Sequence, residues 1–131
     1  LKKLTPEMKA GVDEGFGYVD KIRTMYKAEN VNPKITADLF IWGILSRGAG
    51  PVQQESAFID IIEGARPLID KAVNGNFTKQ DQATWEKTIN KLLPEGSPGK
   101  QVTQNVNATG QMLFELGKKV PGSNKTVFEF N

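Results

Sequence analysis

The turn Gly48-Ala49-Gly50-Pro51 is where residue types and spacing in this chain come nearest to chemistry. Two glycines let backbone amides approach an anion closely, and a helix opening at Pro51 adds the positive end of its dipole. Arg47, Gln53, Gln54 and Glu55 cluster around that turn, so the candidate binding set is Arg47, Gly48, Gly50, Gln53, Gln54 and Glu55. A plain turn between two helices beside a solvated helix end is the competing reading.

Other residues offer less. Asp60 and Glu63 lie one helical turn apart and could share a proton or a hard cation, although acids at that spacing are usually surface charges. Trp42 and Trp85 could stack on a ligand, but both sit on apolar stripes and read as core anchors. Asn76-Phe77-Thr78, Asn107-Ala108-Thr109 and Asn124-Lys125-Thr126 match the N-glycosylation acceptor pattern, which carries weight only in a secreted protein. No catalytic residue emerges.

The exclusions are firmer. The chain has no cysteine and no histidine. Disulfides, thiolate nucleophiles, cysteine-based metal sites, the commonest general base and the commonest transition-metal ligand are all removed. Carboxylate, lysine, tyrosine and hydroxyl chemistry remain, with oxygen ligation of hard cations; neither a metal site nor a cofactor is expected. Seventeen basic against fifteen acidic residues leave a net charge of +2. Signs alternate along the chain, so electrostatics alone points to no nucleic-acid partner. Arg23, Arg47 and Arg66 are the only arginines, which weakens phosphate recognition by bidentate guanidinium contacts.

At 131 residues, 38% hydrophobic and 24% charged, the chain fits one soluble domain, residues 1–131, with one core. The apolar stretch from Leu39 to Leu45 is far shorter than the roughly 20 residues that cross a bilayer, so no membrane partner is expected. The basic start, Leu1-Lys2-Lys3, has no apolar run behind it and is not a signal peptide as it stands. Leu1 is not methionine, and the chain ends on Phe128-Glu129-Phe130-Asn131. Either both terminal rings are buried or the protein continues as part of a longer polypeptide. A chain without cysteine suits a reducing compartment, so the expected location is the cytoplasm or a virion.

About five helices should hold these residues. Thr5-Pro6-Glu7 is a helix start, and Met8, Val12, Val19, Ile22 and Tyr26, with Phe16 beside them, predict helix 1 to about Ala28. Gly11, Gly15 and Gly17 weaken it, so a closely approaching helix should hold it. Thr36 caps helix 2, about 37–47, whose apolar residues run almost around its circumference; it reads as the buried central helix of a compact all-α bundle. Helix 3 starts at Pro51 and carries Phe58, Ile62, Ala65, Ile69 and Val73, with Pro67 and Gly64 predicting a bend or break between Glu63 and Arg66. Thr78-Lys79-Gln80-Asp81 is a capping-box signal for helix 4, with Trp85, Ile89 and Leu92 on one face. Helix 5 runs from about Lys100 to Lys119. Thr126–Phe130 docks as a strand-like tail or begins a further helix.

The glycine turn looks like a helix-hairpin-helix DNA-backbone motif, with Ala49 between the glycines and Val52, Gln53 and Gln54, not lysine, after Pro51. The run Leu39-Phe40-Ile41-Trp42-Gly43-Ile44-Leu45-Ser46-Arg47, with Gly110-Gln111-Met112-Leu113-Phe114 and Asn124-Lys125-Thr126-Val127-Phe128, resembles uncharacterised helical domains of large phage and mobile-element polyproteins. Those domains are distantly similar to helix-hairpin-helix DNA glycosylases, which use an aspartate well beyond the hairpin. That aspartate has no counterpart here.

The expected function is that of a non-enzymatic helical module from a phage or bacterial protein, acting by protein–protein contact or within a larger polypeptide. Nucleic-acid backbone binding through the segment from Arg47 to Gln54 is the alternative. An enzyme or toxin domain using carboxylates such as Glu55 or Asp60 is the third.

Overall fold

The computed structural model describes residues 4–47, 55–94 and 99–129. Six α-helices lie among them: α1 (Pro6–Tyr26), α2 (Pro33–Leu45), α3 (Glu55–Gly64), α4 (Arg66–Val73), α5 (Lys79–Leu92) and α6 (Gly99–Leu116), followed by a 3₁₀ turn, Val127–Glu129. The described residues hold no strand, only an isolated antiparallel bridge between Lys119 and Thr126. The all-α expectation holds. The count of about five rises to six because the segment counted as helix 3, with a bend or break expected between Glu63 and Arg66, is two helices divided at Ala65. Pro67 has no amide hydrogen to continue the ladder, and it sits in the first turn of α4, where none is needed.

Helix α1 opens as expected, the Thr5 hydroxyl accepting from the Met8 amide at 3.3 Å. It ends earlier than Ala28, because Lys27 takes a left-handed conformation, φ 51°, and caps the last turn. Tyr26, expected on the buried stripe, is 73% exposed. Helix α2 is capped by Asn32 and not by Thr36; the Asn32 side chain accepts from the Lys34 amide at 2.9 Å, so the helix starts at Pro33 and Thr36 lies buried within it.

The expected close approach to α1 is made by α2. A Cβ on Gly43 would run into the Gly11 carbonyl oxygen, so the two backbones touch where both residues lack side chains. Around this pair, Met8, Val12, Phe40, Ile41, Ile44 and Leu45 join Ile61, Ile69, Trp85, Ile89, Val106 and Leu113 in a contiguous apolar cluster that draws on all six helices. Burying such side chains is the main stabilising contribution, about 25 cal/mol for each Å² withdrawn from water. One flank of α2 stays partly exposed: Asp38, Leu39 and Trp42 are half-buried. That flank positions the hollow described below.

The remaining elements close the core. The capping box at α5 forms, with the Asp81 carboxylate accepting from the Thr78 amide at 2.8 Å and the Thr78 hydroxyl accepting from the Asp81 amide at 3.1 Å. Of the terminal segment, Val127–Glu129 docks as the 3₁₀ turn, and Phe130 lies outside the described residues. Phe128 is fully buried, its ring centroid 5.7 Å from that of Phe40. Thr126 donates its hydroxyl to the Val73 carbonyl at 2.9 Å.

Candidate functional site: two hollows flanking helix α2

Gly48, Gly50, Gln53 and Gln54 of the candidate set lie outside the described residues, as does the expected start of a helix at Pro51. The two described members, Arg47 and Glu55, line different hollows.

Arg47 lies just past α2. Its Nε donates to the Gly43 carbonyl at 3.0 Å, and its Nη2 lies 3.4 Å from Glu14 Oε2 on α1. The guanidinium is therefore already engaged, though the Glu14 pair is partly exposed and contributes under about 1 kcal/mol. With α6 it borders a polar groove of about 550 Å³ whose walls include Gln101, Gln104, Asn105, Asn107 and Gln111. Asn105 is buried and committed to the fold: its Nδ2 donates to the Leu45 carbonyl at 3.3 Å and to the Arg47 carbonyl at 2.6 Å, satisfying carbonyls at the open end of α2. Gln101 in turn donates to Asn105 Oδ1 at 2.9 Å. The other amides are neutral, and the groove's charged lining residues are Arg47, already engaged, and the exposed Glu7.

The second hollow, about 440 Å³, lies between α1, α2 and α3 and is lined by Tyr18, Asp38, Leu39, Trp42, Glu55 and Phe58. Its position follows from the sequence. Helix α2 has more apolar residues than its packed side can use, so Trp42 and Leu39 spill onto the free flank, where Phe58 of α3 meets them. The Trp42 and Phe58 rings stand 4.9 Å apart between centroids at 72°, an edge-to-face pair. Tyr18 donates to Glu14 Oε1 at 3.3 Å, and the Lys21 ammonium lies 5.7 Å from the Tyr18 ring centroid.

Two carboxylates sit in this hollow. Arg66 holds Asp38 with two hydrogen bonds, Nη1 to Oδ1 at 3.0 Å and Nη2 to Oδ2 at 2.8 Å. Burial pushes the Asp38 carboxyl above its ordinary value, and the Arg66 hydrogen bonds and charge oppose that push. Glu55, the first residue of α3, is exposed and has no hydrogen bond or ion pair among the described residues. A smaller recess of about 240 Å³ continues from Asp38 and Phe58 to Ile59, Ile62, Glu63 and Arg66. Ile59 is 45% exposed, so the apolar surface extends along α3.

Trp85 is a core anchor: it is fully buried and donates its indole N–H to Thr109 Oγ1 at 2.9 Å. Trp42 is not; it is half-buried and lines a hollow. Asp60 and Glu63 are exposed on α3. Among the described residues, no group of three or more acidic side chains could hold a metal ion, and no helix is long and apolar enough to cross a membrane. Tyr18, Asp38 and Phe58 had no motif to mark them. The one legible signal was Trp42 on a helix apolar on nearly every side, since a helix packed on part of its circumference must show the rest to something.

In comparisons with known proteins, no family model, no curated protein and no solved structure matched the chain.

Proposed function

We propose that this protein is a non-enzymatic helical module that binds a basic peptide segment of another protein in the hollow between α1, α2 and α3. The observation that supports this reading is the composition of that hollow: Trp42, Phe58, Tyr18 and Leu39 form an apolar lining with the carboxylates of Asp38 and Glu55 set into it. Aromatic side chains that stay half-exposed in a folded protein are the residue type that anchors protein interfaces. The Asp38 charge is met by Arg66, and it is Glu55, without a partner among the described residues, that favours a partner with positive charge and disfavours an acidic one. The volume, about 440 Å³, falls within the roughly 300–1,000 Å³ range of binding pockets and suits one or two inserted side chains.

The test is a selection of displayed random peptides against the immobilised chain, followed by chemical-shift mapping of the winners. Peptides with lysine or arginine beside apolar residues should emerge and perturb Trp42, Phe58 and Glu55. They should bind the Phe58→Ala variant at least about tenfold more weakly, a typical loss for an interface anchor, while its circular dichroism stays helical. Winners that map to another face, or that are acidic, overturn the reading.

A further inference from the structure

We infer that the hollow lined by Trp42, Phe58 and Tyr18 is a binding site for an alkylated ammonium group, such as a methylated lysine side chain, with Glu55 as its counter-charge. This rests on the docking reading above and adds the chemistry that the pocket selects. Three aromatic rings from three different helices line one small concavity: Tyr18 from α1, Trp42 from α2 and Phe58 from α3. The 72° angle between Trp42 and Phe58 makes them two walls of a corner. In this edge-to-face pair the edge of one ring covers part of the other's face, so a cation in the corner is attracted by the uncovered ring face there.

The charges agree with a cationic guest. Asp38 is occupied by Arg66, whereas Glu55 has no partner among the described residues. A plain ammonium ion forfeits strong hydration when it enters an apolar corner, and one carboxylate at the rim replaces little of it. An alkylated ammonium keeps its charge, has weaker hydration to lose and buries methyl groups against the rings, so aromatic walls favour it over lysine itself. Tyr18 already has the Lys21 ammonium 5.7 Å from its centroid, near the limit of a favourable contact. That lysine is a weak competitor which the guest must displace or tolerate.

Choline is the probe, and its uncharged isostere 3,3-dimethylbutan-1-ol is the control; both are titrated into the protein while the amide and indole resonances are followed. Trp42 is the informative indole because Trp85 is fully buried. Choline should shift the Trp42 indole and the Glu55 and Phe58 amides in the millimolar range, and the isostere should bind about tenfold more weakly. Glu55→Gln should weaken choline and leave the isostere unchanged. Equal affinity for choline and isostere overturns the cation inference but leaves an apolar docking surface, and basic peptides from the selection would still bind. No shift with choline overturns the inference as well, and the peptide selection then decides the docking reading alone. Choline shifts confined to residues outside the hollow count against both.

Discussion

Arg66 grips Asp38 with two parallel hydrogen bonds, 3.0 and 2.8 Å, and so ties the first turn of α4 to the partly exposed flank of α2. Arg66→Met would leave the carboxylate without that partner. The two side chains remain 32% and 22% exposed, so the cost at pH 7 should be about 1–2 kcal/mol, less than for a fully buried pair. The Asp38 carboxyl is raised above its ordinary value by burial. A raised carboxyl favours the fold in its protonated form, and that contribution is present below the unfolded value and lost as pH rises through the folded one. The deficit of Arg66→Met should therefore shrink as pH falls from about 6 to 4 in thermal melts. A deficit that grows over that range refutes the account.

Gly43 and Gly17 give opposite outcomes for the same substitution. Gly43→Ala forces a methyl group into the Gly11 backbone and should destabilise the protein by more than about 2 kcal/mol. Gly17 lies on the exposed side of α1, and a Cβ there would meet nothing within 4 Å. Gly17→Ala should stabilise by up to about 1 kcal/mol through helix propensity. Denaturant midpoints of the two variants measure both effects, and equal midpoints count against a backbone contact between α1 and α2.

Asp81 titrates with the opposite sign to Asp38. The Thr78 amide holds its carboxyl below the usual value of 3.8, Lys71 and the Thr78 hydroxyl assist, and burial works against them. A depressed carboxyl stabilises the fold above the unfolded value, and this is lost as pH falls through the folded value. Asp81→Asn should cost about 1 kcal/mol at pH 7, as for a lost helix cap. The gap to the parent protein should hold down to about pH 4 and close below it. A gap independent of pH down to about 2 would assign the role of Asp81 to packing alone.

Thr109 is the hydrogen-bond partner of the buried Trp85 indole, and its own hydroxyl donates to the Val106 carbonyl at 2.7 Å. Thr109→Val keeps the shape and removes the acceptor, leaving a buried N–H unpaired at about 1–3 kcal/mol. Thr109→Ser should recover most of that stability. Failure of serine to rescue would show that the threonine methyl, and not the hydroxyl, matters.

Much of the fold was legible because its signals are local. Thr5-Pro6-Glu7 and Thr78-x-x-Asp81 start helices through side chains only three residues apart, and Pro67 dictates the division between α3 and α4 whatever packs around it. Tyr26 misled for the same reason in reverse: its helical spacing was right, but Lys27 ended α1 before a neighbour could cover the ring. The hollow was illegible because Tyr18, Trp42 and Phe58 are assembled by the packing of three helices, and no spacing within one segment encodes it. Glu55 was picked for its place beside the glycine turn, and it lines a hollow that Arg47 does not border.

Phe128 also sets an order of events during synthesis. Helices α1 and α2 are neighbours in sequence and can pair through Gly11 and Gly43 as soon as both have emerged from the ribosome. The Phe40 ring, by contrast, keeps one side open until Phe128 arrives from much later in the chain. A nascent chain halted before Thr126 would thus display the apolar surface that Phe128 covers, a window in which a chaperone or a second nascent copy competes with the Val127–Glu129 turn.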